Sequence, residues 1–160
     1  MKNRGLAFRD MAIDSVDREI IEALCDDARL SHRQLAQKVG VAQGTITNRL
    51  RKLESEGVIS GYAPILNADS IGWGMTVMAG LCIEKGQIMD VQKHISADNR
   101  VFAVYDVTGD WDSMVLARVK NREDLDDLTK TVFTLKGISR SYAHVVLNTV
   151  KESGVMLPEE

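Results

Sequence analysis

The side chains best suited to do chemistry lie between Gln43 and Lys52. They are Gln43, Thr45, Thr47, Asn48, Arg51 and Lys52, on a stretch without an acidic residue. Short amides and hydroxyls at the front of a helix match the donor and acceptor edges of bases in a DNA major groove. Arginine and lysine one or two turns later match phosphates, which position a protein without reading sequence. With Ile46 turned toward a core, helical stepping places Gly44, Asn48, Arg51 and Ser55 outward, with Thr45, Thr47 and Lys52 on the flanks. A polar face alone is common to surface helices, so the case for double-stranded DNA rests on what surrounds it. Arg49 falls near the inner edge, where an ion pair with Asp17 or Glu22 competes with a DNA contact.

The surroundings read as a helix-turn-helix. Ser31 caps a short helix whose Leu35, Ala36 and Val39 form a buried stripe, and Gly40 ends it in a left-handed turn. The next helix turns Ile46, Leu50 and Leu53 inward, and small Ala36 lets the two helices approach. Ala42 stands where an N-cap is wanted and caps poorly. Upstream, Asp14 caps a first helix with Val16, Ile20, Ile21 and Leu24 inward. It ends by Cys25 or Asp26, because Asp26 and Asp27 oppose the helix dipole. Gly57 ends the third helix, and VISGYAPIL continues as an extended segment that Pro64 restricts to an edge or linker. Residues 1–62 are thus expected to form a winged or strand-tailed helix-turn-helix domain. Its first 12 residues, with Lys2, Arg4 and Arg9, form a tail or an arm touching DNA or a partner. Residues 63–73 are a linker, looped over 67–73.

Beyond the linker the rhythm changes. Strands are expected over 74–84, 101–108, 112–119 and 138–150, and helices over 88–95 and 122–135, the latter capped by Gly137. Thr108 to Trp111 make a tight turn. The order βαββαβ over 74–152 describes a ferredoxin-like sandwich, followed by a tail at 153–160. The fold class is α+β. Both helices cover one sheet face, so the other is expected to stack on a second copy in a homodimer.

Charge supports this division. The net charge is −3, yet residues 1–62 carry 10 basic and 9 acidic groups while residues 63–160 carry 10 and 14. A near-neutral reading domain predicts modest affinity for one copy, and a dimer doubles its phosphate contacts. Aromatics at 5% argue against a stacking platform for single strands. Cys25 and Cys82 read as buried thiols of a reduced cytoplasmic protein rather than a disulfide. No metal-ligand spacing, signal peptide or membrane-spanning run occurs, and no cofactor is expected.

The chain resembles the Lrp/AsnC family of feast/famine transcription regulators over about residues 13 to 152. The resemblance is carried by IDSVDREIIEAL, VAQGTITNRLRKLESEGVISGY, TGDWD at 108–112 and LKGISRSYAHVVL, in that order. It implies a DNA-binding regulator that is not an enzyme, dimeric and often an octamer of four dimers. It also implies an amino-acid effector between dimers beside Gly109, Asp110, Trp111 and Asp112, with Ser141 facing the same site. On that reading the glycine turn exposes backbone groups to an α-carboxylate and α-amine, and Asp110 or Asp112 holds the ammonium. A plain hairpin turn also accounts for Gly109 and Asp110. Ala42 replaces a usual Ser, Ala143 a frequent Thr, and Trp111 a common Tyr or Phe. Two rivals stand beside this reading. One is an effector-sensing module without specific DNA binding. The other is an enzyme like the siroheme decarboxylases, which would need His32, His94 or His144 in a catalytic set.

Overall fold

The computed structural model describes residues 13–158. The arm expected over residues 1–12 lies outside them. Five α-helices and four strands run in the order α1 (Ser15–Asp26), α2 (His32–Val39), α3 (Gln43–Ser55), β1 (Met75–Ile83), α4 (Ile88–Ile95), β2 (Val101–Asp106), β3 (Ser113–Val119), α5 (Arg122–Thr131) and β4 (Ile138–Val145). Among the described residues, one compact unit comprises those up to Pro64 together with those from Ser153; Ile65–Glu152 form the other. The tail expected as a separate piece therefore groups with the helical unit.

In the helical unit, local caps set the helix ends. Asp14 and Asp17 each accept the other's backbone N–H on a carboxylate oxygen in a capping box at α1, and the Ser31 hydroxyl and Gln34 amide oxygen accept in the same way at α2. Gly40 ends α2 with φ 78°, its N–H on the Ala36 carbonyl. Ala42 starts α3 with no side-chain cap. Ile20, Ala23, Leu35, Ile46, Leu50 and Leu53 form the core, with Val58 and Ile59 packed against it. Residues 60–67 form no strand, so the expected wing is absent from the described residues; Pro64 has no N–H to offer a ladder. A single 3-10 turn, Asp69–Ile71, interrupts the linker.

The second unit is a four-stranded antiparallel sheet in the order β2-β3-β1-β4. Val77, Ala79, Leu81 and Ile83 of β1 and Val115, Ala117 and Val119 of β3 face the helices, where Val91, Ile95, Leu128 and Phe133 complete the core. The other face presents Met78, Phe102, Tyr105 and Tyr142 to solvent. Two expected elements are shorter than their apolar patterns. β4 stops at Val145 because its partner runs out: Val146 N–H still reaches Thr76 O, but Gly74 N–H turns away to Val119 O. α5 stops at Thr131, and Leu135 still packs on the core from a turn. Gly137 therefore does not cap α5; with φ 98° it turns the chain into β4, where a Cβ would lie 2.5 Å from Gln87 Oε1.

Cys25 is exposed and Cys82 half-buried, against the expectation that both are buried. Ile20 and Ala23 take the inner face of α1, and Cys25 falls beyond it. Among the described residues no helix is long and apolar enough to cross a membrane.

Candidate functional site

On α3 Gln43, Gly44, Asn48, Arg51, Lys52, Glu54 and Ser55 are exposed, while Thr45 and Thr47 are half-buried. The side chains of Gln43, Asn48, Arg51 and Lys52 have no partner among the described residues. Arg49 behaves differently. Its guanidinium bridges Asp14 and Asp17 (3.2 Å to Asp17 Oδ1) and so ties α3 to the start of α1. The Asp17 N–H, and after it Arg49, hold the Asp14 carboxyl below its ordinary range. Arg49 thus takes the structural role open to it in the sequence, with Asp14 and Asp17 as partners instead of Glu22.

Thr47 Oγ donates to the Gln43 carbonyl at 3.1 Å and lies 2.9 Å from His32 Nδ1. Sequence reasoning did not place His32 on this face. The residues are 15 apart, and only the packing of α3 against the start of α2 joins them. Glu54, near the end of α3, accepts from Tyr62 Oη at 3.0 Å, which anchors the extended exit segment.

The second set lies at the β2–β3 turn. Gly109 has φ 113°, a conformation side chains rarely adopt. Val107 N–H donates to Asp112 O, and Asp112 N–H to Leu81 O at 2.9 Å. Asp112 Oδ2 accepts from Ile83 N–H at 2.7 Å, so one carboxylate oxygen is spent on holding β1. Asp110 accepts only through its carbonyl, from Cys82 Sγ at 3.6 Å. Its carboxylate is exposed, with no partner among the described residues.

Trp111 folds back over the sheet face opposite the helices. A Cβ on Gly80 would meet its indole at 2.5 Å, so the ring lies directly on the β1 backbone. Arg140 stacks 4.8 Å from the indole centre, and the Tyr142 ring lies 6.5 Å away. Arg140 was not singled out in the sequence. The available signal was strand alternation, which puts 140 and 142 on one face of β4.

The same alternation separates Ser141 from this cluster. Ser141 pairs with Leu81, which points into the helix-side core, while Tyr142 pairs with Gly80 beneath Trp111. Within one chain, then, Gly109, Asp110, Trp111 and Asp112 come together with Arg140, and Ser141 faces the other way.

The three histidines do not form a set. His32 meets Thr47, His94 Nδ1 lies 2.7 Å from the Asp90 carbonyl, and His144 stacks 5.0 Å from Tyr142.

Residues 13–60 match the winged helix-turn-helix DNA-binding family, and residues 76–156 match the Lrp/AsnC ligand binding domain. An uncharacterized HTH-type transcriptional regulator of Pyrococcus abyssi is 42% identical over 88% of this chain and 95% of its own. Escherichia coli AsnC superposes with a TM-score of 0.84 at 22% identity, covering 89% of this chain and 97% of AsnC. The feast or famine regulatory protein of Mycobacterium tuberculosis, solved in complex with L-methionine, superposes at 0.82 with 26% identity, covering 92% of this chain and all of the other.

Proposed function

The chain belongs to the Lrp/AsnC family of transcriptional regulators, and from that premise we propose that it reads DNA through the outer face of α3 and answers to an amino acid through its second domain. The observation that carries the first half is the division of labour on α3. Arg49 is consumed by Asp14 and Asp17, while Gln43, Asn48, Arg51 and Lys52 stand exposed with no side-chain partner among the described residues. Asn48 and Gln43 suit base edges; Arg51 and Lys52 suit phosphates; Thr45 and Thr47 line the flank.

A dimer formed through the sheet faces carrying Met78, Phe102, Tyr105 and Tyr142 would present two α3 helices to successive major grooves of a near-palindromic site in the cytoplasm. Assembly of such dimers into octamers would let an effector change which promoter geometry is held.

The test uses DNA spanning the protein's own promoter region. Asn48→Ala is expected to reduce discrimination between that site and unrelated DNA by about tenfold, the value of one base contact. Arg51→Ala is expected to weaken binding to all sequences and to reduce the salt slope by about 0.9 per protomer. Unchanged binding in both variants would remove α3 as the reading helix. Equal binding of the parent protein to every sequence would favour the effector-sensing module without specific DNA binding.

For the second half, the exposed Asp110 carboxylate, the Gly109 turn and the Arg140 guanidinium near Trp111 supply one partner for an α-ammonium and one for an α-carboxylate. The M. tuberculosis relative that holds L-methionine supports an amino-acid effector. Asp110→Ala is expected to spare DNA binding and to abolish any amino-acid-induced change in oligomer size measured by light scattering. An oligomer distribution in the parent protein that ignores all twenty amino acids would sink the effector site.

A further inference from the structure

The Thr47 hydroxyl has two neighbours, the Gln43 carbonyl at 3.1 Å and His32 Nδ1 at 2.9 Å. A hydroxyl has one hydrogen to give. Thr47 gives it to the carbonyl four residues back, the usual acceptor for a helical threonine. An oxygen lone pair is then what faces His32, so Nδ1 carries a hydrogen and donates. In the neutral ring Nε2 is left as a bare acceptor. Phosphate oxygens also only accept. His32, exposed beside the α3 face, can therefore bond a phosphate through Nε2 only after the ring takes up a proton.

Among the described residues no acidic side chain bonds or pairs with His32, whose side-chain partner is Thr47. No acidic residue occurs from Ala28 to Leu53. The acids that end α1 are engaged elsewhere, Asp26 by Lys38 at 3.2 Å and Asp27 by Arg29 at 3.3 Å. The charged residues nearest in sequence on the two helices are basic: Arg33, next to His32, and Arg49, two residues beyond Thr47 and held by Asp14 and Asp17, with Arg51 one turn beyond Thr47. The anion that favours protonation has to come with the ligand.

We propose that His32 is a proton-dependent phosphate contact, held in its Nδ1–H form by Thr47, so that each protomer takes one proton from solvent onto Nε2 as it closes on DNA. The proposal rests on the DNA-binding reading above. Thr47 is a positioning residue in it, acting through His32.

The experiment is fluorescence anisotropy of the full chain on labelled promoter-region DNA, at constant salt, from about pH 8.5 to about pH 5.5, where histidine changes charge. Between about pH 8 and pH 6 the parent protein is expected to tighten by roughly fivefold per protomer. Its salt slope is expected to steepen by about 0.9 per protomer. His32→Gln should give a flat profile. His32→Lys should be flat as well, with the steeper slope at every pH. Thr47→Val frees the ring to turn either nitrogen outward, and its profile should be shallower than the parent's whatever its absolute affinity. A His32→Gln profile parallel to the parent's, or a parent profile that is flat, would overturn the proposal while leaving DNA binding intact. Failure to bind DNA at any pH would overturn both.

Discussion

Replacing Arg100 with methionine is expected to cost the second domain about 3 kcal/mol at neutral pH, seen as a fall in Tm on the order of 15 °C. Arg100 leads into β2 with its side chain 11% exposed, and it bonds Asp98 (2.7 Å), Asp124 (2.9 Å) and Asp127 (2.8 Å). Methionine keeps the stem and removes the charge. Asp127 is mostly exposed and would relax into water, whereas Asp98 and Asp124 are about four-fifths buried and would keep their charges without a partner. The upper end of the range for a broken buried pair does not apply, because water still reaches both carboxylates.

The pH dependence has a definite sign. Hydrogen bonds from Arg100 hold the Asp98 carboxyl below its ordinary range. A depressed folded value gives stability that is present above the unfolded carboxylate pKa, about 3.9, and is lost as pH falls through the folded value. In Arg100→Met the cost is a charge left unpaired, which protonation relieves. The gap between parent and variant should therefore be widest near pH 7 and largely closed near pH 3. Urea unfolding at both pH values reads this. A variant within about 1 kcal/mol of the parent at pH 7, or a gap that does not narrow in acid, would show that the cluster contributes little.

Legibility from sequence followed the range of the interactions. The helix ends of the first domain were legible because each is made by neighbours: Asp14 with Asp17, Ser31 with Gln34, Gly40 with Ala36. The βαββαβ order was legible because apolar period changes from one element to the next. Strand and helix lengths in the second domain were not. Where β4 ends depends on where β1 begins, seventy residues earlier, and the apolar run through Val150 carries no trace of that limit. On α3 the exposed candidates followed from angular stepping alone, and so did the ambiguity of Arg49. Resolving Arg49 required the position of Asp14, and finding His32 required the crossing of α2 by α3. At the turn, Gly109 and Asp110 could be read locally. Arg140 and the opposite facing of Ser141 within one chain could not, because both depend on the register of β4 against β1.

Gly80→Val is expected to lift Trp111 off the sheet and to destabilise the second domain by about 2–3 kcal/mol. Valine suits a strand, so the backbone of β1 should accept it without cost. The cost comes from the ring above, whose atoms would lie 2.5, 2.7 and 2.9 Å from the new Cβ. These are ring-fusion and attachment atoms of the indole, so no small rotamer adjustment removes the clash. The whole side chain must leave, giving up its stack with Arg140 and its place beside Tyr142. In a Trp73→Phe background Trp111 is the remaining tryptophan, since the chain has two, and its emission should shift to the red as the ring enters water. The DNA-reading domain has its own core, built from other residues, and should unfold as before. A double-mutant cycle separates this cause from general damage to the strand. If the clash is the cause, Trp111→Ala should absorb most of the cost, and Gly80→Val added to it should lose less than about 1 kcal/mol. If Gly80→Val costs the same with or without the indole, Gly80 is needed by the strand for another reason and Trp111 is a bystander. If the cycle couples as expected, Gly80 and Trp111 are one device: a strand left bare so that the turn residue can lie flat on the face expected to pair with a second copy. On that reading Gly80→Val should also weaken the dimer, and with it the affinity for a two-half-site operator, while each single reading domain keeps its own contacts.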